Sequence, residues 1–319
     1  MLVPCALALA STLALSSAGA RAESLRVGWQ DVDGVQIFYR EGGRTEDPTV
    51  VFLHGNPASS FQYRDVMTRL ADSYHVIAPD YPSFGFSSAP ERSAYRYTFD
   101  SVTDSVRRFL AARNITRYSL FMQDYGVPIG FRLISSSPEA VQTLIVQNGV
   151  IHLDGFPAAQ DPNGELRQHW RKRNADLDRR RREFTLGMRF PAAAGWDSAW
   201  NQDLILLNMT SAQRPGVIDA RSDLWFDYGS NIARYPEWQA LLKRLNVPLL
   251  VMWGGRDDFF TIPGALAFRR DAPHAEVHIL DADHFATVEV PDEIVRLAAP
   301  FLARHLRAHA TTLPSSARP

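Results

Sequence analysis

The feature that most constrains this chain is a set of continuous apolar runs, each ending abruptly at polar or charged residues. They are "TVVFLHG" (49–55), "HVIAPDY" (75–81), "LFMQD" (120–124), "VQTLIVQNGV" (141–150) and "VPLLVMWGG" (247–255). An unbroken run of this length reads as a strand buried on both faces. Segments with helical spacing lie between them, at 60–74, 97–114, 124 to about 136, and 263–271, with a last one from Pro291 to about Leu306. In 97–114, Val102, Val106, Phe109 and Leu110 share one face. Strands alternating with helices predict an α/β fold, a mostly parallel central sheet flanked by helices. Ahead of it, "LRVGWQDVDGVQIFYREGG" (25–43) alternates around Asp33-Gly34 and predicts a hairpin.

The alternation stops after the sixth strand. Residues 152–245 hold no long buried strand and are rich in Trp, Arg and Asp, so a helical cap is expected there. The core is then 23–151 together with 246–307. "ELRQHWRKRNADLDRRRREF" (165–184) reads as a charged helix whose Arg and Asp residues pair on a solvated face. The tail 308–319 is expected to be disordered.

Residues 1–22 read as a secretory signal peptide. An apolar centre runs from Leu7 to Leu15, and Ala20-Arg21-Ala22 supplies a small-x-small site with cleavage after Ala22. That run is roughly half of the ~20 residues that a membrane span needs. Cys5 is the only cysteine, so the mature chain has neither disulfides nor a thiol nucleophile. A periplasmic or secreted location follows as an expectation. The formal net charge of −1 gives no field that would attract nucleic acid or an anionic membrane. No phosphate-cradling loop or metal-ligand cluster stands out, so no cofactor is expected.

In such sheets the reactive groups sit at the C-terminal ends of strands. His54-Gly55-Asn56 follows one run, Asp80 another, Asp124 a third, Asp257-Asp258 a fourth, and Asp283-His284 the "AEVHILDA" (275–282) segment. Acid, acid and histidine therefore occur in that chain order, each just past a strand.

The order nucleophile, acid, histidine is that of the α/β-hydrolase fold. From about residue 25 to 305 the sequence resembles the haloalkane dehalogenase and epoxide hydrolase branch of that family. The carriers are "HGNP" (54–57), "HVIAPDYPSFGFSSAP" (75–90), "QDYGVPIG" (123–130), "WGGRDDFF" (253–260) and "DADHFATVEVPDEI" (281–294). Esterases of this fold put Ser where Asp124 stands. A carboxylate that attacks saturated carbon leaves an ester, whose carbonyl water can then attack. The resemblance implies Asp124 as nucleophile and His284 as the base that activates water. Asp257 would orient His284; Asp258 is the alternative, and Asp257 fits the family's spacing from Trp253. The backbone N–H groups of Asn56 and Tyr125 would form the oxyanion hole. His54 is expected to support the oxyanion loop.

Two leaving groups fit. Dehalogenases of the branch hold the halide with a Trp just after the nucleophile and often with an Asn after the first His-Gly. Asn56 matches that pattern and Tyr125 does not. Epoxide hydrolases supply phenolic protons from the cap, and "LWFDYGSNIARYPEWQ" (224–239) offers Tyr228 and, second, Tyr235. An aromatic residue usual at the Asn56 position in those enzymes is absent. Epoxide hydrolysis is the favoured expectation, with haloalkane dehalogenation as the alternative. An ester or lactone hydrolase and a non-catalytic ligand-binding relative are less favoured. The expected partners are a small apolar organic substrate and water.

Overall fold

A computed structural model describes residues 25–157, 170, 172–186 and 202–306. The segment expected to be a signal peptide, the tail beyond 307 and part of the charged segment 165–184 lie outside the described residues.

Eight strands form one sheet in the order β1-β2-β4-β3-β5-β6-β7-β8. They are β1 Arg26–Val32, β2 Val35–Gly42, β3 Thr49–Leu53, β4 His75–Pro79, β5 Tyr118–Gln123, β6 Val141–Gln147, β7 Leu249–Gly254 and β8 Glu276–Leu280. The β1–β2 and β2–β4 pairings are antiparallel, and the remaining pairings from β4 through to β8 are parallel. The hairpin turns at Asp33 (φ 51°) and Gly34 (φ 84°), a left-handed pair that matches the twist of the two strands. Helices α1 (Arg64–Leu70), α2 (Phe99–Ala112), α3 (Gly126–Ser136), α7 (Ile262–Asp271), α8 (Ala286–Glu289) and α9 (Pro291–Leu306) accompany the sheet. Between β6 and β7 lie α4 (Ala175–Leu186), α5 (Gln202–Ala212) and α6 (Val217–Leu245).

Every residue of β3 to β7 is buried except Gln142, which is half-buried. Side chains alternate along each strand, so the sheet feeds two cores. Val50, Phe52 and Phe121 pack with Met67 and Leu70 of α1 and with Phe301 and Leu302 of α9. Val51, Leu53 and Met122 pack on the other side with Phe109 of α2, Phe131 of α3, and Leu224 and Trp238 of α6. Truncating one of these phenylalanines to Ala is expected to cost about 3–5 kcal/mol.

Three sequence expectations shift. The helix expected over 60–74 is a 3-10 turn at Ser60–Tyr63 followed by a short α1. The strand expected over 141–150 ends at Gln147, because Asn148 turns into left-handed backbone at φ 41°. In the charged segment, residues 172–174 are not helical and α4 spans Ala175–Leu186. Among the described residues, no helix is long and apolar enough to cross a membrane.

Candidate active site

Asp124 follows β5 and precedes α3, held at φ 48° in a region L-residues rarely adopt. The tight bend needs neighbours without side chains. A Cβ on Gly126 would lie 2.0 Å from the Leu53 carbonyl oxygen, and one on Gly55 would lie 2.7 Å from Asp124 Oδ1. The bend aims the carboxylate at the loop after β3, where the Asn56 N–H donates to Asp124 Oδ1 at 2.6 Å. The Tyr125 N–H also bonds this carboxylate. Both donors sit close to the α3 N-terminus, whose dipole favours an anion. Asp124 is 7 % exposed. Burial raises its pKa, against the opposing pull of His284 and the Asn56 and Tyr125 N–H groups.

His284 follows β8. Its Nδ1 lies 2.9 Å from Asp257 Oδ2. The Gln123 amide donates to Nε2 at 2.8 Å, and its own oxygen accepts from Gln62 at 3.3 Å. These contacts set the tautomer: Nδ1 carries the proton, and Nε2 is the lone-pair nitrogen. Phe259, Phe260 and Phe285 surround the ring at centroid distances of 5.1, 5.7 and 4.9 Å. Burial alone would lower the His284 pKa. Asp257, Asp124 and Asp283 outweigh it, and the pKa is raised.

Asp257, at the end of β7, is fixed from two sides. The Phe259 N–H donates to Oδ1 at 2.7 Å, and Asn148 Nδ2 donates to Oδ2 at 2.6 Å. Asn148 in turn accepts from the Gly254 N–H at 2.7 Å. Asp258 is exposed, so of the two neighbouring acids Asp257 is the one that faces the histidine. His54 is buried and donates from Nδ1 to the Gly55 carbonyl, while its Nε2 accepts from the Tyr81 N–H. Burial pushes its pKa down to about 3, so the ring is a neutral brace under the oxyanion loop.

The cap contributes from α6. Tyr228 and Tyr235 are seven residues apart, two turns on one helical face. Both are buried, with hydroxyls 3.4 Å apart. The Tyr228 ring packs 5.8 Å from that of Tyr125. Burial raises both phenol pKa values, and the Asp124 charge adds to the rise in each. Both hydroxyls therefore stay protonated within electrostatic reach of the carboxylate.

The structure thus brings together Asp124, His284, Asp257, the Asn56 and Tyr125 N–H groups, and the two cap tyrosines. Sequence reasoning missed Gln123 and Asn148. Asn148 stands at a strand's C-terminal end, the rule that found the others, but drawing that strand through to Val150 hid it. The arrangement can support nucleophilic attack by a carboxylate, proton donation by a phenol, and base-assisted attack by water. Among the described residues, no cluster of three or more His, Cys, Asp or Glu could hold a metal ion.

Residues 48–291 match the family model described as the alpha/beta hydrolase fold. An uncharacterized hydrolase of Saccharomyces cerevisiae is 34% identical over 287 residues, covering 84% of this chain and 94% of the relative. A cis-3-alkyl-4-alkyloxetan-2-one decarboxylase of Shewanella oneidensis is 26% identical over 289 residues, covering 82% and 84%. Haloalkane dehalogenase 2 of Mycobacterium tuberculosis is 26% identical over 286 residues, covering 86% and 93%. Among solved structures, the epoxide hydrolase CorEH superposes with a TM-score of 0.68 at 19% identity, covering 88% of this chain and 99% of that one.

Proposed function

The chain belongs to the α/β-hydrolase family, and from that premise we propose that it falls in the haloalkane dehalogenase and epoxide hydrolase branch and hydrolyses epoxides to vicinal diols through an ester on Asp124. The observation that carries the choice of leaving group is the Tyr228–Tyr235 hydroxyl pair, buried and in electrostatic reach of Asp124. An epoxide oxygen leaves as a strongly basic alkoxide and needs a proton. A halide needs none.

In the first step an Asp124 oxygen bonds to an epoxide carbon as the ring C–O bond breaks. A tyrosine hydroxyl protonates the departing oxygen, which leaves a hydroxyalkyl ester and a phenolate. Water then takes the place of the Gln123 amide at His284 Nε2, loses a proton to that nitrogen and attacks the ester carbonyl, with Asp257 stabilising the imidazolium. The tetrahedral oxyanion accepts from the Asn56 and Tyr125 N–H groups, and a single such donor is typically worth about 10²–10³ in rate. Collapse releases the diol. The proton held by His284 goes back to the phenolate, so the net reaction consumes only epoxide and water.

Haloalkane dehalogenation is the second reading, favoured by the dehalogenase relative and by Asn56. We also propose export of the mature chain, on the apolar segment and Ala20-Arg21-Ala22 site of residues 1–22. The purified protein should be incubated with a panel of epoxides, haloalkanes and p-nitrophenyl esters. Diol formation is expected. Halide release without diol formation would transfer the assignment to the second reading, and ester cleavage alone would remove both.

A further inference from the structure

Gln123 closes β5 one residue before Asp124 and is fully buried. Its amide Nε2 donates to His284 Nε2 at 2.8 Å and reaches the His284 carbonyl at 3.4 Å. Its Oε1 accepts from Gln62 Nε2 at 3.3 Å. Gln62 is buried in the 3-10 turn that follows β3, and its amide also acts as a donor toward the neighbouring Tyr63 hydroxyl. Tyr63 in turn donates to the Leu53 carbonyl at 2.9 Å. A row of hydrogen bonds therefore runs from the end of β3 to the base.

This row has a direction, and both of its ends fix it. A carbonyl oxygen can only accept, so the Tyr63 hydroxyl hydrogen is committed to Leu53. The Tyr63 oxygen is then an acceptor and takes the NH2 end of Gln62. That end also faces Gln123, so Gln123 shows its oxygen to Gln62 and its NH2 to His284. The His284 carbonyl, a second group that only accepts, faces the same NH2 end and also accepts from Gln147 Nε2 at 3.0 Å. One consequence of the polarity is that Gln62 Oε1 is buried with no hydrogen-bond partner. Space is closed as well: a Cβ on Gly55 would lie 2.3 Å from Gln123 Oε1. A water beside Nε2 could turn to suit either protonation state, donating to the neutral ring or accepting from the imidazolium. The oriented amide suits only the neutral ring.

We propose that Gln123 is a positioning residue that keeps His284 neutral and ready to accept a proton, with Gln62 and Tyr63 holding its amide the right way round. A hydrogen bond donated to the neutral form of a base disfavours protonation. The charged groups that face the ring push the other way: Asp257 after β7, Asp124 after β5 and Asp283 on the ring's own loop. Glu289 of α8 adds negative charge beside Asp283 and accepts its N–H at 2.7 Å. Arg256 is occupied by Asp281 and Glu289. Three carboxylates thus favour an imidazolium, which cannot take a proton from water, and the Gln123 amide opposes them at the reacting nitrogen. It yields that nitrogen to the hydrolytic water and takes it back once the ring is neutral again. The proposal rests on the reading of His284 as the base for the reaction, but not for the hydrogen bond itself.

NMR titration of the His284 ring reads its protonation without any substrate. In the unmutated, nitrogen-15-labelled protein, a scalar coupling across the N–H···N bond between Gln123 and His284 should be present above the ring's midpoint and vanish below it. Absence of the coupling above the midpoint overturns the proposal and requires no variant to fold. Gln123→Met keeps the side-chain length and removes the donor. The His284 midpoint should then rise by about 0.5–1 unit, a 3- to 10-fold gain in proton affinity. Gln62→Met leaves Gln123 in place but frees its amide to turn its oxygen toward the imidazolium, so the midpoint should rise there too. A side chain that only filled space would move neither midpoint, and an unchanged or lowered midpoint in either variant overturns the proposal. The reaction is read separately: the acid limb of single-turnover ester hydrolysis should move with the NMR midpoint. A limb that stays in place while the midpoint rises, or a raised midpoint in a protein that turns over no epoxide, keeps the role of Gln123 at the ring and removes the reading of His284 as the base of that reaction.

Discussion

Asp257 Oδ2 lies 2.9 Å from His284 Nδ1, and the same oxygen accepts from Asn148 Nδ2 at 2.6 Å. One carboxylate oxygen therefore serves both as the histidine's orienting acceptor and as the end of a fixed amide chain. Asp257→Asn would offer an N–H where an acceptor is needed and favour the wrong imidazole tautomer. Turnover is expected to fall about 10⁴-fold, as when the acid of a related triad is amidated. Thermal unfolding should change little. Steady-state turnover measured beside an unfolding curve checks both.

Asp124 combines left-handed backbone with a buried charge, and both oppose folding. Its folded pKa is raised above the ordinary 3.8, chiefly by burial. The folded state therefore holds the Asp124 proton more tightly than the unfolded chain does. Stability falls as pH rises from the ordinary value through the raised one, and the full penalty applies once the carboxylate is ionised in both states. Asn tolerates left-handed backbone and carries no charge. Asp124→Asn should abolish turnover yet stabilise the fold at neutral pH by roughly 1 kcal/mol, a Tm rise of about 2–4 °C. The gain should vanish in acid, below the ordinary carboxylate value. A lower Tm at neutral pH would contradict this account of the elbow.

His284→Gln removes the base that activates water but leaves the nucleophile and its N–H donors in place. The ester on Asp124 should then persist, and intact-protein mass spectrometry reads it directly. The added mass also distinguishes leaving groups. An epoxide adds its whole mass, because its oxygen stays attached. A haloalkane adds its mass less that of the hydrogen halide. An unshifted mass after exposure to substrates that the unmutated protein turns over would argue against a covalent step.

The pH dependence has a sign fixed by the acids around His284. Asp257, Asp124 and Asp283 raise its pKa above 6.5, overcoming burial. The base must be neutral to act, so the acid limb of the rate profile should have its midpoint above 6.5. The same raised value means that the charged ring stabilises the fold below its ordinary pKa. That contribution is lost as pH climbs through the folded value, so activity and this stability contribution run in opposite directions. Asp257→Asn, which removes one of those charges, should move the midpoint downward.

The sheet was legible because strands buried on both faces leave continuous apolar runs that polar residues cut short. Asp124, Asp257 and His284 were legible because each stands just beyond such a run. Asn148 was lost to a strand boundary misplaced by three residues, in a segment where apolar Val150 invites continuation. The cap was harder for a different reason. Helix α6 runs through Pro236, a residue that ordinarily breaks a helix, so no local pattern marks its extent.

The two cap tyrosines separate by what surrounds each hydroxyl. Tyr228 packs between Tyr125, Phe99, Phe156 and Trp170, whereas Tyr235 lies a further two turns along, against Trp238. Tyr228 is thus the phenol beside the residue that follows the nucleophile, and Tyr235 is the partner whose hydroxyl lies 3.4 Å from it. Tyr228→Phe should lower epoxide ring opening by about 10²-fold, the lower end of the range for a lost general acid. Tyr235→Phe should lower it less, and the double variant should lose more than either. The loss belongs in the alkylation step, so single-turnover ester formation should slow while hydrolysis of a preformed ester is unchanged. If both single variants open epoxides at the unmutated rate, the phenols do not supply the proton, and the choice of an epoxide over a halide loses its support.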